Sequence, residues 1–404
     1  MLTRRNVLKI AIGGAAALSL PSLVHARHKP ILIGDINSYI PSINRFTLPY
    51  RKGWTLALEQ VNISGGINNK PIEVLSQNDK GRPSEAVNAA RFLVEQKGVD
   101  ILSGTFLSNV GLAVSKYAHQ SQIPFIAAEP LSDELTLEQG NPYTFRLRPS
   151  TYTQAHMLAK EAAKLPVGRW ACIAPDYEYG RSAVENFKSF INKARPDVEF
   201  IHDEWVELFN INPEKVINNL SNKNIDALFN VTFSSDLEKL ITQAEKSDFF
   251  KDKSVVSLLT GEPEYLNRIT SPACDNWIVT GYPWDQIQTH AHKEFVKKYL
   301  ARFEEPPMLG SLVGYMTLLS IASAYKQHKE EDKNDLHRHF EGLYFDRPLG
   351  MVHFRKSDHQ SSMGAFIGRL RHHEGKNIMT DWYYADGPEF WPTEAVIKER
   401  RPQI

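Results

Sequence analysis

The 404-residue chain contains little cysteine and no excess of charge of either sign. Its two cysteines, Cys172 and Cys274, are too few for a disulfide framework, and the sequence leaves open whether they pair or stay free thiols. The 47 basic side chains are matched by 47 acidic ones, so a basic surface for nucleic acid is not indicated. No apolar run after residue 26 is long enough to span a bilayer.

Signatures of common enzymes are also missing. The sequence has no P-loop, no dinucleotide glycine fingerprint and no GxSxG nucleophile turn. Three close histidine pairs are present: His290 and His292, His337 and His339, and His372 and His373. The first two pairs have i, i+2 spacing, which points the two rings to different sides of a helix, and no third ligand lies nearby. We therefore expect no enzyme activity, no metal site and no cofactor.

The N-terminal residues 1–26 are predicted to be a signal peptide. A basic start with Arg4 and Arg5 precedes an uncharged stretch rich in Ala, Gly and Leu, and Val24-His25-Ala26 is a small-x-small cleavage site. The context TRRNVLK is similar to a twin-arginine signal, although the general export route stays open. Cleavage near Ala26 would leave a mature protein that is exported to the periplasm.

Residues 71–130 are predicted to form strand, helix, strand, helix and strand. The extended run PIEVLSQND is followed by a helix that Pro83 and Ser84 open and Gly98 ends. The short strand VDILSG then leads into a helix from Ser108, and QIPFIAAEP closes the unit. This alternation predicts an α/β fold with a parallel sheet, in which ligands bind beyond the carboxyl ends of the strands.

By its motifs, the chain resembles the leucine/isoleucine/valine-binding proteins, a family of type I periplasmic solute-binding proteins of ABC importers. The resemblance rests on five segments, in this order: the SGGI turn at residues 64–67, the Asn78-Asp79 pair, SGTFLSN at residues 103–109, IPFIAAEP at residues 123–130, and PDYEYG at residues 175–180. It extends over nearly the whole mature chain.

The resemblance implies two doubly wound lobes joined by a three-strand hinge, with a ligand cleft between them. Lobe I would comprise residues 27–148 and 282–350, lobe II residues 149–281 and 351–390, and a C-terminal tail residues 391–404. The chain would cross between the lobes near residues 148–151, 280–284 and 349–354. Bending at these crossings would close the cleft on a ligand.

On lobe I, the candidate site residues follow two strands. Ser108 matches the family's carboxylate-binding serine, and with Asn109 it opens a helix whose positive end suits an anion; a plain N-cap role stays open. Glu129 and Leu131 stand where amino-acid binders carry a small residue and a threonine. Glu129 could accept a hydrogen bond from an ammonium, amide or hydroxyl group, or it could be an exposed loop carboxylate.

On lobe II, Tyr179 matches the family's cleft tyrosine, which covers the ligand when the lobes close. Phe46 of lobe I and Phe233 of lobe II fall where relatives often carry tyrosines, and their rings could form a pocket wall or belong to the core. Trp284, just after the second crossing, could stack on a flat ligand or be structural. Amino-acid binders place an acid against the ammonium; the matching position here is Leu259 or Thr260, with Glu262 just beyond. If no acid reaches the ammonium, burying that charge would cost several kcal/mol, and an aliphatic or aromatic acid, or an amide, becomes a stronger alternative to an amino acid.

The resemblance implies the extracytoplasmic substrate-binding component of an ABC importer. It would capture a small amino acid or a related small carboxylate or amide by cleft closure, and deliver it to membrane permease subunits. We expect a monomer that binds no nucleic acid. A ligand-sensing receptor of the same fold, and an exported α/β enzyme, are the alternatives.

Overall fold

The structure is a computed structural model that describes residues 29–328 and 335–402, so the predicted signal peptide at residues 1–26 lies outside the described residues. The described chain forms two α/β units, each built on its own sheet. The predicted α/β fold with two lobes is confirmed.

The sheet of the first lobe has five parallel strands in the order β2-β1-β3-β4-β5. The strands are β1 (Ile31–Asn37), β2 (Ile72–Asn78), β3 (Ile101–Gly104), β4 (Phe125–Ala127) and β5 (Thr144–Arg146). The connecting helices are α1 (Asn44–Ile63), α2 (Pro83–Arg91) and α3 (Ser108–Gln120). The alternation that residues 71–130 predict is therefore present, with helices that begin at Pro83 and Ser108.

The second lobe starts with four helices and a run of parallel strands. The helices are α4 (Thr151–Ala162), α5 (Glu178–Ala194), α6 (Pro213–Ser221) and α7 (Ser234–Lys246), followed by a single turn, α8 (Pro263–Leu266). The strands are β6 (Arg169–Pro175), β7 (Glu199–Val206), β8 (Ala227–Asn230), β9 (Ser254–Gly261) and β10 (Ile278–Gly281). Strand β6 lies between β7 and β8, as β1 lies between β2 and β3 in the first sheet.

The remaining chain adds to both lobes. Helices α9 (His290–Phe303) and α10 (Leu309–Gln327) come next, and α10 packs along α1 of the first lobe. Two antiparallel hairpins follow, β11 (Tyr344–Arg347) with β12 (Gly350–His353), and β13 (Ala365–His373) with β14 (Lys376–Ala385). The second hairpin pairs with β10 and extends the second sheet to seven strands. The last helix is α11 (Glu394–Arg400), within the predicted tail.

Two connections between the two sheets lie close to predicted crossings, and another lies later in the chain than predicted. The first runs from the end of β5 to the start of α4, and the second from the end of β10 to α9, close to the predicted positions. The third lies later than residues 349–354, because residues 350–353 pair with residues 344–347 and the chain joins the second sheet only at Ala365. The lobe boundaries themselves stay a prediction.

Asp35 provides a test of how burial affects stability. Its side chain is fully buried in β1, and Oδ2 accepts hydrogen bonds from the Tyr39 hydroxyl at 3.1 Å and the Ser76 hydroxyl at 3.2 Å. Burial raises the pKa of Asp35 to about 7, and the two hydrogen bonds offset only part of this shift. The folded protein therefore holds a proton that the unfolded chain releases, so this contribution to stability is lost as pH rises toward 7 and above.

We expect the effect of Asp35→Asn on stability to become more favourable as pH rises. The difference in free energy of unfolding, variant minus parent, should increase by on the order of 2–3 kcal/mol between pH 5 and pH 8, because the parent loses stability as Asp35 ionises and the amide never ionises. Urea denaturation at several pH values measures this difference. Asp252→Asn, which removes an exposed carboxylate, controls for the loss of charge alone. Parallel pH profiles for Asp35→Asn and the parent protein would contradict the expectation.

Candidate functional site

A buried cavity lies where the strand order of each sheet reverses, between β1 and β3 in the first lobe and between β6 and β8 in the second. Such reversal points leave a crevice at the carboxyl ends of parallel strands. Phe46 follows β1 and Ser108 follows β3, while Tyr179 follows β6 and Phe233 follows β8. Both lobes therefore contribute side chains to one cavity.

The cavity has twelve lining residues: Phe46, Phe106, Ser108, Glu129, Leu131, Arg148, Tyr177, Tyr179, Phe233, Leu259, Glu262 and Tyr265. The space between them that a water molecule could occupy is about 20 Å³, which is room for about one water. Any larger ligand must therefore enter while the walls are further apart.

Six of the nine predicted ligand-binding residues line this cavity: Phe46, Ser108, Glu129, Leu131, Tyr179 and Phe233. The structure brings them together from segments that are up to 187 positions apart in the sequence, from Phe46 to Phe233. The alternative that Glu129 is an exposed loop carboxylate is wrong, since the residue is 4% exposed.

The structure places the other three predicted residues elsewhere. Asn109 lies in the first turn of α3, and its side chain accepts a hydrogen bond from the Val110 amide. Thr260 is buried in β9 and pairs with the Ser257 hydroxyl at 2.6 Å. Leu259 takes the place at the cavity because its backbone has a φ of 66°, which departs from the regular strand. Trp284 is half-buried against the core after β10.

Sequence reasoning missed four lining residues: Phe106, Arg148, Tyr177 and Tyr265. The sequence places Arg148 only at a predicted crossing between the lobes. Its signal is a charged residue at such a crossing, since a hinge segment passes beside the cleft. Phe106 and Tyr177 lie within two residues of predicted site residues, Ser108 and Tyr179, in the same strand-to-helix loops.

Arg148 lies between two glutamates in the wall of the cavity. Its Nη1 donates to Glu129 Oε2 at 3.0 Å, and its Nη2 donates to Glu262 Oε1 at 2.5 Å. All three side chains are at most 6% exposed. An acid therefore does reach the cavity, contrary to the conditional expectation from the sequence, but it reaches it already paired with a base from the same chain.

Burial and charge act in opposite directions on these groups. Burial raises the pKa of Glu129 and raises that of Glu262 to about 8, and the Arg148 guanidinium offsets part of each shift. Burial alone would lower the pKa of Arg148, but Glu262 and Glu129 raise it above its usual value. Two carboxylates thus share one guanidinium in a site with little water, and one of them readily holds a proton near neutral pH.

Aromatic rings form most of the remaining wall. Phe46 stacks on Phe106 with ring centroids 4.9 Å apart and contacts Tyr265 at 5.4 Å. Phe233 meets Tyr179 edge-to-face at 5.7 Å. Since rings of both lobes contribute, a flat or branched apolar group held between them would be covered on both sides.

Ser108 links the exits of two strands. Its Oγ accepts hydrogen bonds from the Leu131 amide at 3.2 Å and the Ser132 amide at 3.1 Å, both in the loop after β4. Ser108 is the first residue of α3, and the preceding residue Leu107 is the N-cap. The plain N-cap alternative is therefore wrong, because the side chain accepts from a neighbouring loop rather than from its own helix.

Direct contacts between the lobes surround the cavity. Arg45 of α1 forms an ion pair with Glu238 of α7. The Ser234 hydroxyl donates to the Ser42 carbonyl oxygen at 2.5 Å. The Gly310 amide at the start of α10 donates to Glu264 Oε1 at 2.9 Å. These contacts join the first lobe to the second around the cavity.

Two further properties concern only residues 29–328 and 335–402. No helix in these ranges is both long and apolar enough to cross a membrane. Among the same residues, no group of three or more His, Cys, Asp or Glu side chains is placed to hold a metal ion. Cys172 and Cys274 are both buried and form no disulfide within the described chain.

Comparisons with known proteins agree on one family for this chain. The family model described as periplasmic binding protein matches residues 44–376. A Leu/Ile/Val-binding protein homolog 7 of Brucella suis is 24% identical over 302 residues, covering 70% of this chain and 73% of its own length.

Solved structures of solute-binding proteins share the fold. One, from Rhodopseudomonas palustris in complex with 3,4-dihydroxybenzoic acid, has a TM-score of 0.79 at 19% identity and covers 89% of this chain and 98% of its own. Another, a branched-chain amino acid transporter substrate-binding protein from Streptococcus pneumoniae in complex with isoleucine, has a TM-score of 0.78 at 21% identity, covering 89% and 100%. The chain thus belongs to the periplasmic binding protein family, with the fold of the solute-binding proteins of ABC transporters.

Proposed function

We propose that this protein is the substrate-binding component of an ABC importer and captures a small amino acid, or a related small carboxylate or amide, by closure of its two lobes. The observation that carries the proposal is a cavity, lined mostly by buried side chains, to which both lobes contribute rings and charged groups. The named relatives are solute-binding proteins, which favours binding over catalysis.

Closure explains how such a cavity is filled and emptied. A space of about 20 Å³ cannot admit an amino acid, so the lobes must separate for entry. Contacts from both lobes to a ligand would favour the closed arrangement, and the affinity would reflect that preference. We further propose export to the periplasm with cleavage near Ala26, a monomeric mature protein, and two permease subunits as membrane partners.

A ligand screen with a readout of closure tests this function. Amino acids, aromatic and aliphatic acids, amines and short amides would be added to the mature protein, and melting temperature and small-angle scattering recorded. A ligand present at 100 times its dissociation constant should stabilise the fold by about 2.7 kcal/mol. The radius of gyration should also fall. The proposal fails if no compound of any class changes either quantity.

We expect Ser108→Ala and Tyr179→Ala each to weaken ligand binding tenfold or more, or roughly 1.4 kcal/mol. The first removes the acceptor of two loop amides, and the second removes a ring and a hydroxyl from the cavity. Titration calorimetry with the best compound of the screen measures the loss. Tyr344→Ala, at a tyrosine 61% exposed, is the control. Unchanged affinity in both cavity variants would place the site elsewhere.

A further inference from the structure

Some hydrogen-bonding groups of the cavity are paired within the protein and others are not. The ligand class that we infer from this difference rests on the proposed function. Two backbone amides at the strand exit, those of Leu131 and Ser132, already donate to Ser108 Oγ. Both terminal nitrogens of Arg148 donate to glutamates. These backbone and guanidinium donors are engaged within the protein, whereas the Tyr179 and Tyr265 hydroxyls have no partner among the described residues and can either donate to a ligand or accept from it.

One charged acceptor of the cavity also has no donor. Glu129 lines the cavity and is 4% exposed, and its Oε1 has no hydrogen-bond partner among the described residues. A buried carboxylate oxygen without a donor costs about 1–3 kcal/mol or more, because water no longer reaches it. A ligand that donates a hydrogen bond there would recover that energy.

The balance of charge favours the same kind of ligand. Glu129 and Glu262 face one base, Arg148, and a third acid, Glu264, is buried next to them. Arg148 Nε also lacks a partner within the part of the chain that the structure describes, but an anion placed there would meet the two carboxylates that flank the guanidinium. At short range in a site of low dielectric, that repulsion costs more than one hydrogen bond returns.

The rings supply the third argument. Six aromatic side chains line the cavity: Phe46, Phe106, Tyr177, Tyr179, Phe233 and Tyr265. The face of an aromatic ring attracts a cation, by about 2 kcal/mol when the pair is desolvated. An ammonium group between a free carboxylate oxygen and ring faces would be stabilised by both.

We propose that the cavity selects an organic cation, namely a protonated amine on a small apolar or aromatic body that carries no carboxylate, with Glu129 as the acceptor of its N–H. This inference rests on the proposed substrate-binding function and goes beyond it, because it replaces the amino acid, carboxylate or amide with an amine. It also separates this chain from the similar proteins described in complex with 3,4-dihydroxybenzoic acid and with isoleucine, since both of those ligands carry a carboxyl group.

Proton release accompanies such binding. Burial raises the pKa of Glu262 to about 8 and that of Glu264 to about 7, and it raises the pKa of Glu129. The groups facing these acids are the Arg148 guanidinium, the amide of Gly310 and the phenols of Tyr179 and Tyr265, whose own pKa values burial raises. A bound cation displaces a proton from these carboxyl groups, so the affinity for an amine should rise from pH 6 to pH 8.5 as the carboxyl groups ionise. The amine itself stays protonated over this range.

The experiment compares ligands that match in shape and differ in charge. The aromatic probes are 2-phenylethylamine, phenylacetamide and phenylacetate, and the aliphatic probes are isoamylamine, isovalerate and leucine. Titration calorimetry at pH 6 and pH 8.5, in buffers of different ionisation enthalpy, gives affinity and proton release. We expect each amine to bind at least tenfold tighter than its matched carboxylate and isoamylamine to bind tighter than leucine, with protons released on binding.

A variant tests the role of Glu129 itself. Glu129→Gln keeps an acceptor for Arg148 but removes the charge, and it should weaken amine binding tenfold or more while changing phenylacetamide binding less. If this variant does not fold, the buffer-dependent proton release of the parent protein still tests the inference. Tighter binding of either carboxylate or of leucine overturns the inference and leaves the proposed function in place. The absence of closure with every probe and every compound of the wider screen overturns the proposed function.

Discussion

Arg148→Met is expected to destabilise the protein by about 3–5 kcal/mol, the usual cost of removing one partner from a buried ion pair. The methionine fills a similar volume but leaves Glu129 and Glu262 without the guanidinium that joins them. Arg148 also lies between β5 and α4, where the chain passes from one sheet to the other. The melting temperature and the free energy of unfolding from urea titration would both fall.

Neutralising the two glutamates should reverse much of this loss. In the triple variant Arg148→Met, Glu129→Gln, Glu262→Gln, no buried charge is left uncompensated at this place, and replacing a whole buried ion pair is often nearly neutral. Arg82→Met, at an exposed ion pair with Glu85, is the control and should change stability far less. If Arg148→Met alone were as stable as the parent, the buried triad would not exist as described.

Gly314→Ala is expected to lower the free energy of unfolding by about 3 kcal/mol or more. A Cβ at Gly314 of α10 would lie 2.0 Å from the Tyr50 carbonyl oxygen of α1, and one at Gly53 of α1 would lie 1.9 Å from the Ser311 carbonyl oxygen. Alanine would favour the helix by about 1 kcal/mol through its intrinsic propensity. The backbone clash exceeds that gain, because two helices rather than one flexible side chain must move.

The same substitution should also weaken ligand binding. Phe46 lies near the start of α1, and Gly310 at the start of α10 donates to Glu264 of the other lobe. Separating α1 from α10 would shift both groups at the cavity. Gly168→Ala, where a Cβ would meet no atom within 4 Å, is the control. A variant Gly314→Ala with unchanged melting temperature would show that the two helices are not in close contact.

Much of the fold could be predicted from the sequence because it follows from local pattern. The turn residues at Pro83 and Gly98, and the short apolar runs around Ile101 and Phe125, define strands and helices that the structure contains. Parallel alternation then places every strand exit on one edge of a sheet, so the loop that contains Ser108 could be assigned to a crevice from the pattern, while Tyr179 was assigned through the resemblance to the family.

The site could be predicted only in part, for two physical reasons. Whether Leu259 or Thr260 faces the cavity depends on a single backbone angle, since neighbouring residues in a strand point to opposite faces. The chain joins the second sheet only at Ala365, later than the predicted passage near residues 349–354, because a local antiparallel hairpin holds residues 350–353. Neither the angle nor the pairing has a distinct signature in residue type.

The sequence by itself determined the α/β class, the order of most elements and the loops that could meet a ligand, since these depend on patterns within a few tens of residues. Only the tertiary structure decided the electrostatics of the cavity. Arg148 and Glu262 are 114 positions apart and belong to different segments, yet their side chains are 2.5 Å apart. Such pairing depends on how two lobes pack across a cleft, and no local pattern records that arrangement.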